Sequence, residues 1–538
     1  MNLPKNNDEL KEMAREANFI SQDEIREPLK ITCQNCNKTT DYGLNCYHCD
    51  QPIILDEYDG RTKIQIVADL IKYDNTFVTI KDSNEILFYN GKIYSSSLAE
   101  ATIKETTEKE IKDCTTHERN EVLQKIKAST YQELEKFDSD SNLLTLENGI
   151  LNIEKMELSD HSAKHLSRVL FPVEYTRPEF PIRENSIFED IEKNLEKTVF
   201  WKFLKSSFTV NGEFQKEDFE TILEIIASCF LKKHVDGKAA MFLGNGDNGK
   251  SVCNGFIESL LGENNVSHIP LQELAENRFM RAELNGISAN IFNDLEQYEL
   301  RKSGIIKNIL TGEPIQVEKK HQTAFTLYPF CNLIFSCNRF PKAYDQSQGF
   351  FRRWLIVQWN RNFENDSERD EKLNEKLNEN FEEKNQVFSC LVYLSRELSR
   401  KGKFSHAKDW LDIQHIWNSN ADPVDEFVNS KTIESDTDIS KRMLYSVYKE
   451  FTLEKGLNPL GIGQFGKQLS QYYDDSVDSS GNRVWCNIQI KAKEPVQEKS
   501  NDVKQPTITE YNEHSEHDEK TTSSVSSVSS VFKNEDDS

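Results

Sequence analysis

Eight consecutive residues carry the most chemistry in this chain. Gly244-Asn245-Gly246-Asp247-Asn248-Gly249-Lys250-Ser251 fits G-x-x-x-x-G-K-[ST] without a mismatch. Three glycines let backbone N–H groups turn inward around an anion, and a helix start adds its positive end. Lys250 would reach the β- and γ-phosphates, and the Ser251 hydroxyl would ligate Mg²⁺. The flanks agree: Ala239–Leu243 reads as a short buried strand entering the loop, and Val252 to Leu261 as the helix leaving it. A Gly/Asn-rich surface loop is the bland alternative. The pattern predicts that the chain binds and hydrolyses a nucleoside triphosphate, with ATP and Mg²⁺ as cofactors.

Hydrolysis needs a second acid on a neighbouring strand. The apolar run Ile287–Phe292 ends in Asn293-Asp294-Leu295-Glu296. Asp294 is the candidate Mg²⁺-linked carboxylate, and Glu296 the candidate that polarises water; a plain acidic turn is the alternative. A second strand, Asn332–Ser336, runs into Cys337-Asn338, where Asn338 would lie beside the γ-phosphate. Arg352 and Arg353 stand at the entrance of a third strand. One of them could donate to a phosphate in a neighbouring subunit, or either could pair with nearby acids. Between these strands, Thr311–Phe325 alternates on both sides of Lys319-Lys320-His321, which suggests a hairpin. Its basic tip could grip a phosphodiester backbone, although such tips are usually just solvated.

Cys33, Cys36, Cys46 and Cys49 form two CxxC knuckles, the spacing of a structural zinc ribbon. Disulfides are the alternative, and His48 inside the second knuckle reads as a bystander. The chain has 11 cysteines, and the other seven are scattered singly, which suits a reducing compartment.

The 538 residues predict roughly three or four domains. No run of 18 apolar residues exists, and the N-terminus lacks the apolar core of a signal peptide, so a cytoplasmic protein without membrane contact is expected. The net charge of −24 argues weakly against nucleic acid, because much of the acid sits in Asn362–Gln386 and after Lys493. A few loops can still form a positive channel.

Taken in order, these elements resemble the superfamily 3 helicases, in the phage and plasmid primase-helicase branch that includes the poxvirus primase-helicase. The resemblance spans roughly 60–490. It rests on the loop at 244–251, Leu271-Gln272-Glu273-Leu274 through Arg278-Phe279 to Leu284-Asn285-Gly286, Asp294 and Glu296, Leu310-Thr311-Gly312-Glu313, Phe335-Ser336-Cys337-Asn338 and Arg352-Arg353-Trp354. Upstream, Leu146–Ile153 with Asp160-His161-Ser162 looks like the helicase-associated domain of that branch. Downstream, Asp422–Phe427, Leu444-Tyr445, Tyr448 and Phe465-Gly466-Lys467 look like its winged helix, with Lys467 and Gln471 exposed on a recognition helix at 465–472 and Arg483 by the wing tip. A protein-docking role for this module is the alternative.

The resemblance implies a multidomain α/β chain. Its parts are a polar leader (1–30), a zinc ribbon (31–53), an α+β helicase-associated domain (60–200), a three-layer α/β AAA+ ATPase core (201–362), a helical connector (363–420), a winged helix (422–492) and a disordered acidic, Ser-rich tail (493–538). It implies a homo-oligomeric ring, usually a hexamer, that translocates on single-stranded and forked DNA, with a separate primase and replisome proteins as possible partners. ATP would sit between subunits, with Lys250, Ser251, Asp294, Glu296 and Asn338 from one and Arg352 or Arg353 from the next. Lys319, Lys320 and His321 would line the channel. The family often has two adjacent acids where this chain has Asn293-Asp294, which leaves the catalytic carboxylate between Asp294 and Glu296. Two other readings stay open: a primase-helicase with priming activity, although no polymerase-type acid motif is evident before residue 240, and a nucleotide-gated DNA-binding switch.

Overall fold

Five apolar segments build the sheet that carries the glycine-rich loop in the computed structural model. They are β1 (Ala239–Leu243), β2 (Val266–Ser267), β3 (Ala289–Phe292), β4 (Asn332–Cys337) and β5 (Trp354–Gln358), all parallel, in the order β2-β3-β4-β1-β5. β1 and β4 are buried along their whole length, so they read as continuous apolar runs, as strands covered on both faces do. The structure describes residues 30–32, 36, 38–41, 62–320, 323–364, 366, 369–454 and 459–491. Cys33, Cys46, Cys49, His321 and the tail from 493 lie outside these; a short antiparallel pair, Lys30–Thr32 with Thr39–Asp41, flanks the first knuckle.

The helices that matter for the site are α1 (Ile187–Leu195), α2 (Val199–Ser207), α3 (Lys216–Ser228), α4 (Lys250–Leu261), α5 (Leu373–Glu379) and α6 (Phe381–Lys401). Side chains of β1 alternate between two cores. Ala240 and Phe242 join Phe200, Ile222, Phe256 and Phe388 from the helices on one face, while Met241 and Leu243 join Leu274, Ile309, Phe350 and Trp417 on the other. The result is three layers. Phe200 of α2 stacks on Phe256 of α4 at 4.5 Å, which fixes α2 beside the loop.

The N-terminal half packs against both faces of the central sheet. Residues 63–132 form a four-stranded sheet under three helices: Ile71, Ile103 and Val122 fill the helix side, while Val78, Ile80, Leu87 and Tyr94 share a core with Met241 and Leu243 of β1. From 143 onward, Leu144, Leu151 and Phe171 share the core on the other face of the central sheet, with Phe171 edge-on to Phe230 at 5.9 Å. A buried ion cluster joins the two parts. Asp138 lies 3.0 Å from Lys232 and 3.1 Å from Arg168, which also donates to Asn285 at 3.0 Å. Burial pushes the Asp138 carboxyl up, but the two cations outweigh it and hold it below the ordinary range.

The stretch 363–420 is helical in three pieces: α5, α6 and Trp410–Ala421. Trp417 of the last stacks on Phe340 at 4.6 Å and donates its indole N–H to the Pro341 carbonyl. Beyond it, three helices (Pro423–Lys431, Lys441–Glu454, Ile462–Leu469) pack around Phe427, Tyr448, Phe465 and Trp485. A hairpin, Asp475–Val477 with Arg483–Trp485, follows. The third helix stops at Leu469, short of the expected 472, so Gln471 sits in the following turn. The Asp478 carboxylate shapes the hairpin tip by accepting from the N–H groups of Ser480 and Asn482, each at 2.8 Å.

Among the described residues, no helix is long and apolar enough to cross a membrane.

Candidate functional site

The loop leaves β1, turns through left-handed backbone at Asp247 (φ 56°) and Gly249 (φ 91°), and enters α4 at Lys250. Gly249 is the N-cap and has no side chain; the Lys250 N–H donates to Asn248 Oδ1 at 3.4 Å, and the N–H groups that follow are open to an anion in the loop. Two ties hold the curve. The Asn248 amide donates to the Trp359 carbonyl at 3.2 Å, and the Phe363 N–H donates to the Asp247 carbonyl at 2.7 Å. The Lys250 ammonium donates back to the Gly244 carbonyl. Burial lowers its pKa to about 8, against the attraction of Asp294.

The loop borders a cleft of about 930 Å³. Gly246, Asp247, Asn248, Gly249, Lys250, Ser251, Asp294 and Asn338 all line it, while Gly244 and Asn245 form the approach from β1. The sheet order accounts for this. β4 lies between β1 and β3, so Asn338, after β4, stands between the loop and Asp294, which is one strand further away than an adjacent-strand acid would be. Ser251 and Asp294 together offer a hydroxyl and a carboxylate on one cleft wall, a donor set that suits Mg²⁺ completed by waters and phosphates. Among the described residues there is no cluster of three His, Cys, Asp or Glu side chains able to hold a metal alone.

The two candidate acids are not equivalent. Asp294 sits in left-handed backbone (φ 58°) in a turn held by the Leu295 N–H donating to the Ser336 carbonyl at 2.7 Å. Glu296 is not among the lining residues; its carboxylate near the Tyr298 hydroxyl raises that phenol's pKa. Asn293 lines the cleft, and its Oδ1 accepts from Asn254 of α4 at 2.5 Å. The same Asn254 amide donates to Ser336 at 2.8 Å and so ties α4, β3 and β4 together.

The arginines also differ. Arg353 donates to the Gly237 carbonyl at 3.2 Å inside its own chain, whereas Arg352 is exposed, and neither lines the cleft. The hairpin pairs Ile315–Val317 with Phe325–Leu327. Near its tip Lys319 lies 3.7 Å from Glu85 of the N-terminal domain, and Lys320 is exposed. Lys467 and Arg483 are exposed on the C-terminal module.

Sequence reasoning missed one wall of the cleft. Val199, Lys202, Phe203 and Ser206 line it from a single face of α2, at i, i+3, i+4 and i+7. Phe363, Arg369, Asp370 and Lys376 line it from the chain after β5. Arg369 lies 3.6 Å from Asp247 in the loop, and Lys376 pairs with Asp370 at 2.5 Å. The spacing on α2 is the one signal a sequence carries for this wall, and amphipathic helices share it.

Comparison with known proteins adds a family. Residues 51–209 match the profile described as D5 N terminal like, and residues 419–513 match the profile described as Poxvirus D5 protein-like. The chain is thus similar to poxvirus D5 proteins in its N-terminal part and again near its C-terminal end. Residues 242–353, from β1 to Arg353, match a family of unknown function, DUF5906. A putative helicase, 184R, of Invertebrate iridescent virus 6 is 21% identical over 355 residues, which is 59% of this chain and 35% of that protein. The chain thus spans about a third of that relative's length. Two apo structures of the C-terminal region of NrS-1 align at 12% and 13% identity, over 79% and 78% of this chain and 99% and 98% of theirs, each with a TM-score of 0.41.

The loop glycines should differ in their tolerance of a methyl group. A Cβ at Gly244 would fall 2.3 Å from the Asn248 amide nitrogen and 2.5 Å from the Trp359 carbonyl, whereas one at Gly246 meets nothing within 4 Å. Gly244→Ala is expected to cost about 1–3 kcal/mol, the range for overpacking. Gly246→Ala should stay within about 0.5 kcal/mol. Thermal unfolding of both variants checks this, and equal melting temperatures would contradict it.

Proposed function

We propose that this chain is an ATP-driven replicative DNA helicase motor of a virus, plasmid or integrated element, working on single-stranded DNA as a ring. One observation carries the reading: Lys250, Ser251, Asp294 and Asn338 face one cleft, while the exposed Arg352 of the same chain lies outside it. Such a site has a phosphate cradle and a carboxylate but no arginine of its own from this pair. A neighbouring subunit would supply Arg352 to the transferring phosphoryl group. Arg353, which serves the Gly237 turn, would position β5 instead.

In this reading the N–H groups of the loop and Lys250 would hold the β- and γ-phosphates. Bound Mg²⁺ would neutralise charge developing on them. Ser251 and Asp294 would hold that ion, and Asn338 would orient the attacking water or the γ-phosphate. Asp294, the acid that lines the cleft, is the better candidate for the catalytic carboxylate. Glu296 would first have to leave Tyr298. A D5-like family and a relative named as a putative helicase support DNA as the object of the motor. Lys320, with Lys319 released from Glu85 and His321 beside it, would meet the backbone in the channel, and Lys467 and Arg483 would meet it on a winged helix. Cys33, Cys36, Cys46 and Cys49 would hold a structural Zn²⁺.

The test is ATP hydrolysis with and without single-stranded DNA, with forked-duplex unwinding read in the same reactions. Hydrolysis in the wild type should rise with DNA. Lys250→Ala should lose both activities by about a hundredfold or more. Hydrolysis that ignores DNA, with no strand separation, would sink the helicase reading.

The lowered Lys250 pKa makes a second test. Phosphate needs the protonated amine, and bound phosphate would raise the pKa again. Nucleotide binding should therefore take up protons and weaken as pH climbs through about 8. By linkage, affinity at pH 9 should be about tenfold below that at pH 7. Lys250→Arg, which does not titrate in this range, should bind with a flat profile. A flat profile in the wild type would contradict the assignment.

A further inference from the structure

The phosphate loop accounts for only part of the lining of the cleft. We infer that the apolar part beside it is a nucleobase slot, in which Phe363 stacks on the base of the bound nucleotide against the Val199 and Phe203 face of α2. The inference rests on the nucleotide-binding reading above and deepens it.

Among the charged residues of this wall stand apolar side chains for which a phosphate site has no use. Val199, Phe203, Val252, Phe363 and Leu373 line it, drawn from α2, α4, the chain after β5 and α5. At about 930 Å³ the cleft falls in the range of small-molecule sites, which are mainly apolar with a few placed polar groups. The Phe363 ring is held, not loose. Its N–H bonds the Asp247 carbonyl, so the ring stays in register with the phosphate loop. Arg361 lies over the ring at 4.7 Å from its centre and is itself fixed by Asp366 at 2.6 Å and by the Ser206 carbonyl at 3.0 Å. A guanidinium occupies one face, and the ring still borders the cleft. Phe203 of α2 packs so close to the loop that a Cβ at Gly249 would stand 2.9 Å from its ring. The apolar slot and the phosphate cradle are therefore continuous. Phe363 lies between the ranges matched by the family profiles, 242–353 and 419–513.

Stacking a base on an aromatic ring is worth about 1–3 kcal/mol, and every 1.4 kcal/mol is tenfold in affinity. The experiment compares ATP with inorganic tripolyphosphate, which has the phosphates and no base, as ligands of the full chain. Binding is measured by calorimetry on wild type, Phe363→Ala and Phe363→Trp. Phe363→Ala is expected to weaken ATP at least about fivefold while leaving tripolyphosphate within a factor of two. Phe363→Trp should restore ATP binding. Unchanged tripolyphosphate affinity also certifies that the variant keeps its folded loop. Equal loss of both ligands, or ATP affinity unchanged in Phe363→Ala, would overturn the slot while the phosphate-loop reading stands. Wild type that binds neither ligand would overturn both.

Discussion

A helix that begins without a side-chain cap must satisfy its first N–H groups elsewhere. In this chain α4 begins behind Gly249, which has no side chain, and it places Lys250 in its first turn, buried against the loop. Backbone donors, helix dipole and a desolvated ammonium converge on one point. All three are stabilised by the same kind of partner, a multiply charged anion. The depressed pKa of Lys250 reflects the cost of keeping that amine buried beside a loop with so little negative charge. The rest of the core serves this point: β1 aims the loop, Trp359 and Phe363 fix its curve, and α2 walls its far side.

The sheet order then decides what else can reach the anion. With β4 between β1 and β3, one polar tip and one acidic turn enter the cleft side by side, and Asn254 bonds to both elements from the helix behind the loop. A shift in α4 is thereby shared with Asn293 and Ser336. β5 is the other neighbour of β1, and it carries the arginine pair away from the cleft at its near end and the Phe363 segment toward the cleft at its far end. In the ring proposed above, one strand would thus serve two nucleotide sites, its own through Phe363 and a neighbour's through Arg352.

What was legible in the sequence was local. The loop, β1, α4 and the segment around Asp294 are encoded by short patterns that need no distant partner, and each lies where those patterns put it. Asp294 and Glu296 could not be separated by sequence, because the choice depends on a turn at positive φ and on the Tyr298 hydroxyl. Arg352 and Arg353 could not be separated either, because the Gly237 carbonyl that occupies Arg353 is more than a hundred residues upstream. The Lys319–Glu85 pair is of the same kind. The base-side wall was hidden for a different reason. Phe363 and Arg369 sit in a run so rich in acid that it reads as a solvated helical surface, and only tertiary packing turns that run over the loop. Sequence also does not show that Leu144 and Leu151 pack on one face of the central sheet while Val78 and Leu87 pack on the other.

The central claim is that each active cleft is completed by Arg352 from another copy of the chain. Mixing two inactive variants tests it most directly. Lys250→Ala destroys the cradle and Arg352→Ala removes the arginine, and each alone should hydrolyse ATP at about background. If the account is right, equimolar mixing gives interfaces that pair an intact cradle with an intact Arg352, and activity returns to a fraction near a quarter of the wild type, the share of such pairings expected from random assembly. No recovery on mixing, with assembly of mixed oligomers verified by size and mass, would contradict it. So would Arg352→Ala that stays active on its own.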